Sequence, residues 1–441
     1  MKISRFLLLA IAILTYVIPA FSQEIYDLNR CITTGMERNF SILVAKNLEE
    51  IAANNYSPGN AGLLPVLDAS GRYGGSVNNT HQEYAAGGDT SFNGVHNTAT
   101  TAGVNLGWTI FQGFNALTTY KKLNELKQVG ELSTQMAVED FVAEIAAEYF
   151  LYIQQIQLYK NLAYAVSLSR ERVRIDEERY LLGAASKLQL LQSQVYLNSD
   201  SSRFSKQNEV LRTLQVRINR LMAMDDLGMH FEPGDTNIVI NADIAYDTLL
   251  AATDRSNTSL LIARRNQVIS KYDYKIIASR TYPYLNLSSG YNLSYNKYEN
   301  SNLLNQQVDG LNYGLTLGIN LFDGFNQRRE KANARIEIDN REFAYQQVDQ
   351  QVKADLITIY YAYQNNLLLL ELERENLKTA EENLDIALER YKLGSLSGLE
   401  LREVQQSLLE AEERLLLVQY ETKLAEISLL QMSGKIMTYL N

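Results

Sequence analysis

Two carboxylates, Glu400 and Glu403, stand three residues apart just past a Leu393-Gly394 turn. Their chemistry is electrostatic. Ser397-Gly398-Leu399-Glu400 reads as a capping box, in which serine and glutamate each satisfy the other's backbone N–H. Both acids also complement the positive end of a helix dipole. Gathered in several copies at a constriction, the same carboxylates would favour cations, and repulsion and desolvation would raise some of their pKa values. An earlier turn, Leu182-Gly183-Ala184-Ala185-Ser186, opens a second capping box, Ser186-Lys187-Leu188-Gln189, with Gln189 and Gln192 where the later one has acids. The histidines are His81, His96 and His230; a zinc site would need further ligands at suitable geometry, and solvated histidines are the better reading. No Ser/His/Asp set, paired-acid cleft or phosphate-binding glycine loop stands out. The reading is no enzyme, no cofactor and no metal.

The elements that position these turns are written twice. Glu178-Arg179-Tyr180-Leu181-Leu182-Gly183 recurs as Glu389-Arg390-Tyr391-Lys392-Leu393-Gly394, 211 residues on. GVNLGWTIFQGFN from Gly103 recurs as GLTLGINLFDGFN from Gly314 at the same offset. Leu64-Pro65 and Tyr282-Pro283 are 218 apart, so the first copy carries seven extra residues. A repeat of this kind largely sets the fold. From Asn115 to Leu182 and from Asn326 to Leu393 there is no proline, a run of about 68 residues each, or roughly 100 Å as unbroken helix. In the first run Val138, Val142, Ile145, Tyr149, Tyr152, Ile156, Tyr159, Ala163 and Val166 recur at spacings of four and three, a heptad seam of coiled-coil type. Phe141, Phe150, Leu151 and Leu158 lie on other faces, which predicts neighbours on two sides. Gly183 and Gly394 suit the left-handed position just past a helix end, and the capping boxes then start returning helices, about Leu188–Met222 and Leu399–Thr438.

Strands are expected ahead of each long helix, near 62–76 and 102–112 and again near 283–296 and 312–323. Leu285, Leu287, Tyr291, Leu293 and Tyr295 alternate with Asn286, Ser288, Asn292 and Ser294. Leu315, Leu317, Ile319 and Leu321 alternate with Thr316, Gly318 and Asn320, and Val104, Leu106, Trp108 and Ile110 with Asn105, Gly107 and Thr109. This is period two. Val77–Thr101 and Lys297–Asn312, rich in Asn, Gly and Thr, read as solvated loop tips. Single helices, about Tyr26–Asn55 and Asp247–Arg280, should precede the strands. The expected organisation is a signal peptide, 1–22; a first repeat, 23–223, with its turn at 182–187; a linker, 224–245; and a second repeat, 246–441, with its turn at 393–398.

Composition narrows the class. Lys2 and Arg5, the apolar run Phe6–Ile18 and Ala20-Phe21-Ser22 make a secretory signal, to be set aside from the fold. No cysteine stands directly after the cleavage site, so an N-terminal lipid anchor is not expected, and Cys31, the only cysteine, has no partner for an internal disulfide. Without the signal the chain has 39 Lys+Arg against 51 Asp+Glu, a net charge of −12, which argues against nucleic acid. No later run could cross a bilayer as a helix. The chain is therefore soluble outside the cytoplasm or spans a membrane as a β-barrel, and 28 tyrosines favour the second, whose interfaces take aromatics.

A duplicated unit of helix, strand, loop, strand, very long helix, tight Leu-Gly turn and returning helix resembles the TolC family, the outer-membrane channel-tunnels of tripartite export systems. The paired Phe111-Gln112-Gly113-Phe114 and Phe322-Asp323-Gly324-Phe325 corners and the paired Arg-Tyr-x-Leu-Gly turns carry the resemblance, which covers essentially the whole chain after the signal. It implies a fold that is mainly α with transmembrane β: a homotrimer whose four strands per chain close a 12-stranded barrel in the outer membrane of a Gram-negative envelope, continuous with a periplasmic α-helical barrel. It implies as partners a periplasmic adaptor, an inner-membrane pump of RND or ABC type, and outer-membrane lipid. Physics points the same way: four strands cannot close a barrel, and a membrane tolerates no open edge.

The resemblance also assigns sites. Leu182, Gly183, Ala184, Ser186, Leu393, Gly394, Ser395 and Ser397 become tips for adaptor docking, beside the plain reading that they end helices. Glu400 and Glu403 become an acidic ring at the pore constriction, beside their capping role, while Tyr391, Leu396 and Gln189 become gating candidates. The best-known relatives hold the closed state by an arginine and an aspartate where this chain has Leu396 and Gln189, so a salt-bridge latch is not expected, and closure would rest on packing around Leu396 and Tyr391. Trp108, Tyr73, Tyr291 and Tyr295 are expected in an aromatic girdle, or else in ordinary strand packing. Two other classes stay open at this point: a periplasmic adaptor with coiled-coil hairpins, which would release in a carbonate wash, and a secreted enzyme on a helical scaffold, which needs a convergent polar cluster.

Overall fold

The computed structural model describes residues 24–299 and 303–440. The expected signal segment lies outside them. In chain order the elements are β1 (Glu24–Tyr26), α1 (Leu28–Arg38), α2 (Phe40–Asn55), β2 (Val66–Glu83), β3 (Asp89–Gln112), α3 (Asn115–Leu181), α4 (Lys187–Leu221), β4 (Phe231–Pro233), α5 (Tyr246–Ser256), α6 (Thr258–Ser279), β5 (Tyr284–Lys297), β6 (Asn305–Gly318), α7 (Asn326–Lys392) and α8 (Gly398–Met432), then a 3-10 turn, Ile436–Leu440. The chain is mostly helical with a small antiparallel sheet. Helices α3 and α7 have 67 residues each, and α4 and α8 have 35 each. Among the described residues no helix is long and apolar enough to cross a membrane.

The chain divides into two compact units. The first takes in residues 24–44, 135–258 and 350–440 and is helical, apart from the parallel pair β1–β4. Its main core gathers Val142, Ile145, Tyr149 and Tyr152 from the α3 seam against Cys31 and Ile32 of α1, Ile218 of α4 and Phe231 of β4. Phe141 and Phe150, off the seam, are buried too, because other elements cover that face. Each such side chain contributes about 1.5–3 kcal/mol of burial. A separate cluster, nearer the turns, holds Leu384, Ala387, Tyr391, Leu401 and Leu408, with Leu396 packed against it.

Within this unit each expected pre-strand helix is broken once. Asn39 leaves the helical region at φ −59°, ψ 124°; its Oδ1 accepts from the N–H of Ser41 at the start of α2, and its Nδ2 donates to the carbonyl of Leu221 at 2.9 Å. Asn257, at φ −64°, ψ 116°, donates likewise to the carbonyl of Met432 at 3.0 Å. One asparagine thus ends a helix and satisfies an orphan carbonyl at the end of a returning one, which local helix propensity could not reveal.

The second unit, residues 45–134 and 259–349, holds the sheet, ordered β2-β3-β5-β6 and antiparallel throughout. Pairing puts the apolar residues of all four strands on one face, in rows such as Ala69, Val104, Tyr291 and Leu311, while Asp68, Asn105, Gly290 and Asn312 form a polar row behind. The strands overrun the expected boundaries. Strand pairing continues from Ser76↔Asn97 out to Glu83↔Asp89, so much of the stretch read as loop is a two-stranded ribbon, and β6 begins at Asn305. The alternation that marks a half-buried strand is missing there because most ribbon side chains face solvent, Val95 excepted. Conversely β6 stops at Gly318, although the alternating pattern runs on to Leu321. Both corners then turn into a long helix with positive φ at Phe114 (66°) and Phe325 (63°), each paired edge-on at 5.3 Å with Phe111 or Phe322.

Candidate functional site

The two Leu-Gly turns lie in the first unit, and their backbones are alike. Gly183 and Gly394 have φ of 74° and 78°. The N–H groups of Ala184 and Ser395 reach back to the carbonyls of Arg179 and Arg390, closing Schellman-type ends. Leu182 and Leu393 project at 83% and 82% exposure, and Gly183, Ala184, Ser186, Gly394, Ser395 and Ser397 are exposed around them. Both capping boxes form. Ser186 exchanges hydrogen bonds with Gln189 at 3.0 and 3.3 Å, and Ser397 with Glu400 at 2.9 and 3.3 Å. The bonds from Ser397 hold the Glu400 carboxyl below its ordinary range, so it is ionised at neutral pH. Glu403 is exposed one turn further on, and Leu396 is half-buried.

Tyr391 sits in more than apolar packing. It is buried, and its hydroxyl donates to Asp176 of α3. Burial and then that bond push its phenol up to about 12. Arg179 stacks its guanidinium 4.8 Å from the Tyr391 ring centroid and donates to the Tyr391 carbonyl. Arg172, only 4% exposed, holds its Nε 3.8 Å from Asp176, while Nε and Nη1 have no hydrogen-bond acceptor among the described residues. Arg172 and Arg402 lie over the ring of Tyr196 at 5.1 and 5.0 Å. Arg402 in turn grips Asp200 with two bonds of 2.7 and 2.8 Å, and Ser169 donates to the same carboxylate. Polar and charged partners inside one chain thus tie α3 and α4 to α7 and α8, beside the apolar packing of Leu396 against the Tyr391 cluster. Arg172, Asp176 and Arg179 were missed in the sequence, although their spacing of four and three places them on one helix face.

One carboxyl near this end is tuned by pH. Glu412 of α8 is half-buried, and burial, then the charges of Glu381 and Glu413, raise its pKa from 4.5 to about 7. A raised carboxyl pKa stabilises the folded form below about 4.5, and that contribution fades as pH rises through about 7. Hydrogen exchange in the α7–α8 stretch around Glu412, corrected for intrinsic rates, should therefore be faster at pH 8 than at pH 6. Glu412→Gln should remove the difference, and an unaltered pH dependence in that variant would refute the assignment.

On the sheet, Tyr73, Tyr291, Tyr295 and Trp108 are all solvent-exposed on the apolar face. Tyr73 and Tyr295 share a row through Thr100, and Trp108 lies eight residues further along β3. That separation is about 26 Å along an extended strand. Tyr291 falls between the two levels and donates to Asp309 at 2.9 Å. Trp108 Nε1 donates to the carbonyl of Leu63 at 3.1 Å.

Solved structures share this architecture. The outer membrane protein VceC of Vibrio cholerae aligns over 92% of this chain and 96% of its own with a TM-score of 0.75 at 17% identity. The CmeC outer membrane channel of Campylobacter jejuni aligns over 92% and 85% with a TM-score of 0.77 at 18% identity. The fold is thus that of the TolC-like outer-membrane channels. Residues 249–435 match the family model "Outer membrane efflux protein". Vibrio cholerae TolC is 23% identical over 198 residues, 43% of this chain and 44% of that relative's length. Residues 249–435 are thus similar to the outer membrane efflux proteins, and the chain spans under half the length of the TolC relative that it matches.

Proposed function

We propose that this protein is the outer-membrane exit duct of a tripartite efflux or type I secretion system. Three chains close a twelve-stranded barrel, and substrates pass from an inner-membrane transporter through a periplasmic adaptor to the outside. One observation carries the reading: a four-stranded sheet with two unpaired edges, β2 and β6, and an apolar face left open, with Tyr313 83%, Leu317 74% and Leu315 63% exposed. Water would penalise that face, and lipid would penalise those edges. Pairing β6 of one chain with β2 of the next resolves both. The rows of Tyr73 and Trp108 are spaced to bracket an apolar band of about 25 Å, and the equal lengths of α3 and α7 support a duplicated unit.

The exposed turns at Leu182 and Leu393 serve as docking tips for the adaptor. The pore narrows beside them, and Glu400 and Glu403 of three chains ring it. The direct test is conductance in planar bilayers. The wild type should conduct and favour cations, and Glu400→Gln with Glu403→Gln should lose the cation preference while still conducting. Unchanged ion selectivity would remove the acidic ring; a complete lack of conductance by the wild type would remove the duct.

A further inference from the structure

We propose that the corner where β6 passes into α7, in the second repeat, is a binding surface for anionic phospholipid headgroups. The inference rests on the reading that the sheet spans a membrane. At this corner, just past the end of β6, Leu321, Phe322 and Phe325 are largely exposed. Arg280 lines a shallow recess with Leu321 and Phe322, and Arg328, Arg329 and Lys331 follow Phe325 in the first turns of α7. Glu330 ties the group together, accepting from Arg280 at 2.8 Å and lying 3.8 Å from Arg329, while Lys331 donates to Thr281 at 3.4 Å. Against four cations stand Glu330 and Asp323, and Asp323 is engaged by the backbone N–H of Gln327 at 2.7 Å. The local balance is thus positive in a chain whose net charge is −10.

Position matters as much as sign. Lys331 lies five residues into α7, about 7.5 Å along the axis, and a headgroup layer is about 5–8 Å deep on each side of the hydrocarbon. Apolar side chains facing the acyl boundary, with Arg and Lys one step outward, match an interface that presents phosphate. The repeat supplies an internal control. At the offsets of 211 and 218 residues the four cations correspond to Leu117, Thr118, Tyr120 and Gly62, none of them charged. The first corner carries fewer cations, Lys121 and Lys122, which begin one step deeper in its helix, and Lys122 is paired with Asp273.

The test compares the wild type with Arg328→Gln, Arg329→Gln, Lys331→Gln, and with a control lacking three exposed cations elsewhere, Lys187→Gln, Lys206→Gln, Arg212→Gln. Each is released from bilayers containing equal phosphatidylglycerol and phosphatidylcholine, and the retained lipids are counted by native mass spectrometry. The wild type and the control should retain phosphatidylglycerol in preference by about ten-fold, falling with added salt, and the corner variant should lose the preference. Equal retention of the two lipids by the wild type, or an undiminished preference in the corner variant, overturns the proposal. Flotation on pure phosphatidylcholine vesicles separates the two readings. If all three proteins float, the membrane-spanning sheet stands whatever the lipid counts; if none floats, both readings fall.

Discussion

Val104→Arg should abolish assembly into membranes, while Asn105→Arg, one residue along the same strand, should be tolerated. Val104 lies on the apolar face in a row with Ala69, Tyr291 and Leu311, midway between the rows of Tyr73 and Trp108, and Asn105 pairs with Gly290 on the polar face. An arginine facing lipid near the midplane costs about 2–4 kcal/mol per chain, and a trimeric barrel would carry three. An arginine on the other face meets water. Heat-resistant oligomer on gels and recovery in the outer-membrane fraction are the readouts. Equal behaviour of the two variants would show that the sheet is not a lipid-facing wall, because the two positions differ only in the face they present.

Asp200→Ala should be the most damaging single change in the helical unit. Asp200 is 2% exposed and accepts two bonds from Arg402 and one from Ser169. Removing it leaves the Arg402 guanidinium, itself largely buried, without its carboxylate, at a cost of about 3–5 kcal/mol. Denaturant unfolding followed by hydrogen exchange in α4 and α8 should register the loss. Replacing the pair together, Asp200→Leu with Arg402→Met, should recover much of it, since an apolar pair needs no compensation for desolvation. A harmless Asp200→Ala would mean that the network leading from Asp200 through Arg402 and Tyr196 to Tyr391 holds nothing together.

These two predictions draw on different sources. The face of Val104 was legible in the sequence, because a side chain's side of a strand follows from counting by two. The bond from Asp200 to Arg402 was not. Arg172, Asp176, Asp200 and Arg402 look like any charged positions on a long helix, and only the packing of α8 against α3 and α4 turns them into buried partners. Tyr391 shows both sides: its place beside the Leu393-Gly394 turn was plain in the repeat, its hydrogen bond to Asp176 was not.

By itself the sequence determined periodicity and punctuation: long proline-free helices, glycine and serine at their turns, alternating strands and the recurrence at 211 residues. These are local properties, set by backbone geometry and by which residues suit a cap or a pleat. Only the tertiary structure decided which surfaces meet. It broke the leading helices at Asn39 and Asn257, where a side chain finds a distant carbonyl, drew the β2–β3 ribbon out beyond its alternating core, and gathered acids and arginines from three helices around Tyr391 of a fourth beneath the turns. Hydrogen bonds and charges of that kind form between residues far apart in the chain, so their energy has no signature within any single stretch of it.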